Sequence, residues 1–174
     1  DACNLALSHQ PPAEPSTSVE PSFLRIHDLG PLQITLDGKP LVFEGRSSRR
    51  AREMLAFFVA HPTGPTKEEV GVAFWPDATT NQVKNSFHVA LHRLRKMLGG
   101  AETVIDEDGR SRVGIGYEAA TQRFEQEVKA RRFEQALALY RGEYLEGEDA
   151  GDWCLEIRRH LRQLLTRSLL AVAQ

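Results

Sequence analysis

The stretch from Thr80 to Leu98, closed by Gly99-Gly100, limits the fold more than any other part of the chain. Turned at about 100° per residue, Val83, Phe87, Ala90, Leu91, Leu94 and Leu98 fall within about 60° of one line. That spacing predicts a helix with one core-facing stripe, and the glycine pair is a C-terminal stop signal. The opposite side carries Asn81, Asn85, His88, His92, Arg95 and Lys96, with Thr80 and Lys84 at its entrance. A helix this one-sided needs other elements under its stripe, and the flanking sequence supplies them.

Upstream, Leu24 and Ile26, then Leu32, Ile34 and Leu36, alternate with polar neighbours, the period of half-buried strands. Asp37-Gly38 is a tight-turn dipeptide, and Leu41-Val42-Phe43 resumes the sheet, giving three short antiparallel strands. Ser47 or Ser48 can cap a helix reaching about Ala60, with Met54, Leu55, Phe58 and Val59 on its apolar side and Pro62 and Gly64 beyond its end. Thr66, followed three residues later by Glu69, fits a capping box for a short second helix bearing Val70, Ala73 and Phe74. Trp75-Pro76-Asp77 stops that helix, because Pro76 cannot continue it. Trp75 itself reads as a plug between the second and third helices.

After the third helix, Thr103-Val104-Ile105 and Arg110 to Ile115 flank Asp106-Glu107-Asp108-Gly109, which is a hairpin closed by an Asp-Gly turn. Strands, three helices and a hairpin in that order make a winged helix-turn-helix. From about Gln122 the chain is helical again. Phe133, Ala136, Leu137 and Tyr140 mark one helix, and Trp153, Ile157, Leu161, Leu164, Leu165 and Leu169 mark a longer one. The first 22 residues differ: Gln10 to Ser22 is dominated by proline, serine and glutamate and reads as a linker, and the start at Asp1 suggests a piece of a longer protein.

The net charge of −2 argues against a uniformly basic protein, yet the charge is unevenly spread. Between Arg46 and Lys96 nine Lys or Arg face four Asp or Glu, net +5, whereas residues 117–174 hold nine basic and ten acidic groups. A basic half of this kind is an electrostatic footprint for a polyanion. Asn can bond adenine through two hydrogen bonds in the major groove, and Arg or Lys reads guanine or holds phosphate. The third helix also occupies the position that enters the groove in a helix-turn-helix. Candidate DNA contacts are therefore Arg46, Arg49 and Arg50 at the first helix start. They include Thr80, Asn81, Lys84, Asn85, His88, His92, Arg95 and Lys96 on the third helix. Arg110 and Arg112 join them on the hairpin, at phosphates or the minor groove.

Other chemistry has little support. His88 and His92 stand at i and i+4, but no third metal ligand has suitable spacing. No phosphate-binding Gly-Lys loop, nucleophile elbow or His-Glu-x-x-His run is present, so neither catalytic residues nor a cofactor are expected. Cys3 and Cys154 fit no disulfide framework, which points to a reducing cytoplasm. No apolar run approaches the roughly 18 residues that span a bilayer, so no membrane partner is expected. The alternative function is a protein-interaction adaptor, in which winged helix and helical pairs bind proteins without DNA.

Two runs carry a family resemblance. Ala73-Phe74-Trp75-Pro76-Asp77-Ala78 with Asn85 to Gly99 resembles the SARP-type transcriptional activators, whose DNA-binding part is an OmpR-like winged helix. Ala136 to Leu145, with Asp152-Trp153 and Glu156-Ile157-Arg158, resembles the start of that family's bacterial transcriptional activator domain. The resemblance implies an α+β chain in three parts: a linker at 1–22, a winged-helix DNA-binding domain at 23–116 and a helical, tetratricopeptide-like segment at 117–174. It implies sequence-specific binding to double-stranded DNA, commonly at direct repeats, and contact with RNA polymerase; the oligomeric state is left open by the sequence, a homodimer on direct repeats being one arrangement. The loop Trp75, Pro76, Asp77, Ala78 and Thr79 would face the polymerase. Few residues separate Tyr117 from Phe124, and the helical segment is short for the family, so a truncated activator domain is expected.

Overall fold

The computed structural model describes residues 22–173. Strand β1 (Phe23–His27) pairs antiparallel with β2 (Gln33–Leu36), and β2 with β3 (Lys39–Pro40). The chain then forms α1 (Arg46–Ala60), α2 (Lys67–Phe74) and α3 (Thr80–Leu98). A hairpin of β4 (Val104–Glu107) and β5 (Arg110–Val113) follows, then β6 (Gly116–Ala119). The last helices are α4 (Ala120–Lys129), α5 (Phe133–Leu139) and α6 (Leu155–Val172).

Local chemistry accounts for most of these boundaries. Thr66 accepts from the Glu69 amide while the Glu69 carboxylate accepts from the Thr66 amide at 2.7 Å, the reciprocal box expected for α2. Asp108-Gly109 and Asp37-Gly38 both turn through positive φ, the tight hairpin geometry that Asp-Gly favours. Gly71 has a packing reason: a Cβ there would lie 2.7 Å from Val83 Cγ1, so α2 and α3 cross closely only because the side chain is absent.

Three expectations change. Gly45, not Ser47 or Ser48, takes the N-cap position of α1, without a side-chain cap bond. The third strand is Lys39–Pro40 rather than residues 41–43. Leu41 and Phe43 still pack on the core, whereas Val42 points to solvent. The chain also contains a strand the sequence did not suggest. β6 pairs parallel with β1, Phe23 opposite Gly116 and Ile26 opposite Ala119, completing a four-stranded sheet in the order β3-β2-β1-β6.

That strand places the expected domain boundary at 116/117 inside the sheet. One continuous core runs from Leu24 and Ile26 through Met54, Leu55 and Phe58 to Phe124, Leu145 and Leu161. Segment 28–31 is stitched to 143–146 by main-chain bonds, Gly30 to Glu143 at 3.0 Å and Leu145 to Asp28 at 2.9 Å. The buried Asp28 carboxylate accepts from the Thr121 amide at 2.9 Å and its hydroxyl at 2.6 Å, so a residue after β1 caps the first turn of α4. Burial raises the Asp28 pKa above its ordinary value, and the Thr121 bonds act against that rise.

Candidate nucleic-acid interface

Thr79 begins α3 with a second capping box, its hydroxyl facing the Gln82 amide and its own amide donating to Gln82 Oε1 at 2.8 Å. The buried face is Phe87, Ala90, Leu91, Leu94 and Leu98, the stripe the periodicity predicts. Asn81, Lys84, Asn85, His88, His92 and Lys96 are exposed on the other side, with Thr80 exposed at the entrance. The helix contains no Asp or Glu, and none stands in its first turn. Its positive N-terminal dipole end is therefore uncompensated by any side chain of its own first turn.

Arg95 departs from expectation. Its guanidinium donates to the Val104 carbonyl at 3.0 and 2.6 Å and reaches Asp106 at 3.0 Å. Angular position alone put Arg95 with the exposed cations, but the hairpin returns beside the C-terminal turn of α3 and takes up its donors. Arg95 ties helix to wing. The wing arginines are also engaged. Arg110 donates to the Gly64 carbonyl at 2.7 Å and lies 3.8 Å from Glu69, and Arg112 pairs with Glu107 at 3.2 Å. Both remain about half exposed.

At the start of α1, Arg46 and Arg49 are exposed. Arg50 pairs with Glu53 at 2.9 Å and lies 5.4 Å from the Phe74 ring centre. Glu53 is nearly buried, and desolvation lifts its pKa although Arg50 opposes the rise. Arg50 also meets α3 across a crevice of about 280 Å³ lined by Trp75, Asn85 and Val89. Trp75 is part-buried against the core and Ala78 is part-exposed, while Pro76, Asp77 and Thr79 are exposed, so the loop presents its polar and proline side to solvent.

Val89 escaped the sequence reading. It is 59% exposed in the middle of the polar face, one turn from both Asn85 and His92. Sorting side chains by polarity hides such a residue. Its angle, about 240° from Val83, was the available signal. Among the described residues, no three His, Cys, Asp or Glu side chains gather as a metal site, and no helix is long and apolar enough to cross a membrane.

Residues 111–174 match the family model described as the bacterial transcriptional activator domain, a match that takes in β5, β6 and α4 to α6. A comparison with curated protein sequences found no match. Among solved structures, Mycobacterium tuberculosis EmbR in complex with a low affinity phosphopeptide is similar, with a TM-score of 0.65 and 23% identity. That likeness covers 83% of this chain and 43% of the EmbR chain, so this chain spans less than half of its structural neighbour. The class shown is therefore a chain of mixed α and β fold like that of EmbR, carrying a match to the bacterial transcriptional activator domain over residues 111–174. More particularly, the matched domain takes in the second of the two runs that resemble the SARP-type activators, Ala136 to Arg158.

Proposed function

We propose that the chain binds double-stranded DNA in a sequence-specific manner and activates transcription by contact with RNA polymerase. One observation carries the reading: the exposed face of α3 is populated by amides, imidazoles and cations, and the whole helix lacks a carboxylate. In this reading α3 lies in the major groove, with Asn81, Asn85, His88 and His92 toward base edges and Val89 toward apolar base surface such as a thymine methyl. Lys84, Lys96, Arg46 and Arg49 hold phosphates, as does the α3 N-terminus with Thr80. Arg110 and Arg112 follow the hairpin to the minor groove or its phosphates, Arg112 by exchanging the exposed Glu107 and Arg110 by giving up its bond to the Gly64 carbonyl. Arg50 stays beside α3 as a support for Asn85, and Arg95 fixes the wing.

The loop Trp75–Thr79 is the polymerase-facing element, and copies stand side by side on direct repeats. The supporting geometry for the loop is the exposure of Pro76, Asp77 and Thr79 at the junction of α2 and α3. Duplex binding is tested by fluorescence anisotropy with random duplexes of about 30 base pairs at about 50 and 200 mM salt. A steep fall of affinity with salt is expected, followed by enrichment of one site on selection. A chain that leaves the duplex free at the lower salt has no phosphate contacts, and the adaptor reading then takes its place.

A further inference from the structure

The seam between the four-stranded sheet and the last helices holds a pocket that the DNA reading leaves unused. It is a cavity of about 220 Å³ between β1, β6, the start of α4 and the end of α5. Side chains alternate along β1, so Leu24 and Ile26 enter the core while Arg25 and His27 turn to the other face. In the parallel register Arg25 stands opposite Glu118 of β6, and Arg123, one turn into α4, meets the Glu118 carboxylate at 3.0 Å. All four of these polar residues line the pocket. The candidate reading helix lies elsewhere, since α3 packs on α1 and α2.

The pocket is cationic. Arg25, Arg123 and, near His27, Arg141 bring three guanidinium groups to a site whose lining holds one carboxylate, Glu118. Arg25 and Arg141 are exposed and form no ion pair among the described residues. Burial first, and then Arg141, push the His27 imidazole below its ordinary pKa, while Glu118 opposes the fall. His27 Nδ1 is buried without a hydrogen-bond partner, the kind of orphan that a bound acceptor oxygen satisfies. Helix α4 begins here as well: Ala120 lines the pocket, and Ala119 at the N-cap makes no side-chain cap bond. Asp28 satisfies the Thr121 amide of that first turn, and the positive end of the helix adds to the field of the arginines.

We infer that this pocket binds a small phosphate monoester. Each guanidinium can give a phosphate two parallel hydrogen bonds, and a dianion answers an excess of positive charge that one carboxylate leaves unbalanced. Size sets the remainder of the ligand. Pockets for drug-sized molecules begin at about 300 Å³, so a cavity of about 220 Å³ takes a phosphate on a few carbons and excludes a nucleotide. Glu118 is the competitor: the ligand must displace it from Arg123. Once seated, the phosphate bridges Arg25 of β1 to Arg123 of α4 and braces the sheet against the helices. The site does not rest on the DNA reading, but a nucleic-acid backbone phosphate carries the same chemistry, and the test must separate the two sources.

Isothermal titration calorimetry on the 174-residue chain tests it, with inorganic phosphate and glycerol phosphate as probes. Wild type is expected to bind each at one site with a Kd of about 1 mM or below, and its melting temperature should rise with either probe. R25Q and R123Q should each weaken binding at least about tenfold. E118Q should tighten it, because the competing carboxylate is gone. K129Q, exposed at the far end of α4, should leave the Kd within about twofold of wild type. Melts without ligand identify a misfolded variant, and E118Q keeps the test sharp because a gain of affinity does not come from misfolding. Anisotropy with a random duplex separates the sources: R25Q and R123Q should bind the duplex as wild type does. A wild type that ignores both probes while R25Q loses duplex affinity would assign the pocket to the nucleic-acid backbone and overturn the inference. Binding seen only above about 20 mM, or unchanged in R25Q, R123Q and E118Q, would be general anion adsorption and would overturn it equally.

Discussion

Replacing Arg95 with alanine separates a structural role from a reading role on the same helix. The guanidinium makes two contacts with the Val104 carbonyl and one with Asp106. A hydrogen bond from a charged group contributes roughly 1.5–3 kcal/mol when fully protected. Here the Arg95 side chain is 27% exposed and Asp106 46%, so solvent screening reduces the ion pair to a few tenths of a kcal/mol and leaves the carbonyl bonds to dominate. The net loss on Arg95→Ala is therefore about 1–2 kcal/mol. For a chain of this size a loss of 1 kcal/mol lowers the melting temperature by about 2–4 °C, so the expected fall is about 2–8 °C. Lys96→Ala is the control one residue on. It is exposed, makes no ion pair among the described residues, and should leave the melt within about 0.5 kcal/mol of wild type while flattening the salt dependence of duplex binding by about one unit of slope. Circular dichroism melts and anisotropy over a salt series read both quantities. An Arg95→Ala variant that melts like wild type and loses duplex affinity as Lys96→Ala does would refute the clamp and return Arg95 to the groove.

Four other outcomes follow from the same contacts. Phe87→Ala empties a site 2% exposed in the α3 stripe and should cost about 3–5 kcal/mol in urea unfolding, and an unchanged midpoint would mean α3 is rotated from the orientation described. Val89→Ser should leave stability within about 0.5 kcal/mol but reduce discrimination at a thymine of the selected site by up to about tenfold; equal binding of thymine and uracil duplexes by wild type would remove Val89 from the readout. Asp28 has its pKa raised by burial, so the folded protein takes up a proton above the ordinary carboxylate value of 3.8 and gains stability as pH falls through the raised value toward 3.8. Asp28→Asn should lose that gain, and stability curves for variant and wild type that run parallel from neutral pH downward would contradict it. Residues 22–116 expressed alone should fail to melt cooperatively, because the cut removes most of β6 and the Thr121 partners of Asp28; a sharp transition in that fragment would show that the sheet does not need β6.

What the sequence discloses and what it withholds divide by chain distance. The Thr66–Glu69 box, the two Asp-Gly turns and the five buried positions of α3 are set by neighbours within a turn or two, and periodicity or cap chemistry reads them directly. β6 is different. Gly116–Ala119 is only four residues, too short for alternation to stand out, and its reason to be a strand is β1, some ninety residues earlier. The same distance hides the Arg95 clamp: the helix pattern predicts only which way the side chain leaves α3, while its partner depends on where the hairpin comes back. Charge patterning shows the converse limit. Counting finds a basic half, but it treats Arg46, Arg95 and Arg110 alike, and the fold bonds the last two to main-chain carbonyls whereas Arg46 is exposed with no such partner among the described residues. A residue already holding a carbonyl can meet DNA only by giving that bond up, so cations without a partner are the better candidates for phosphate. That ordering places Lys84, Lys96, Arg46 and Arg49 ahead of Arg110, and it follows from hydrogen-bond competition rather than from any sequence pattern.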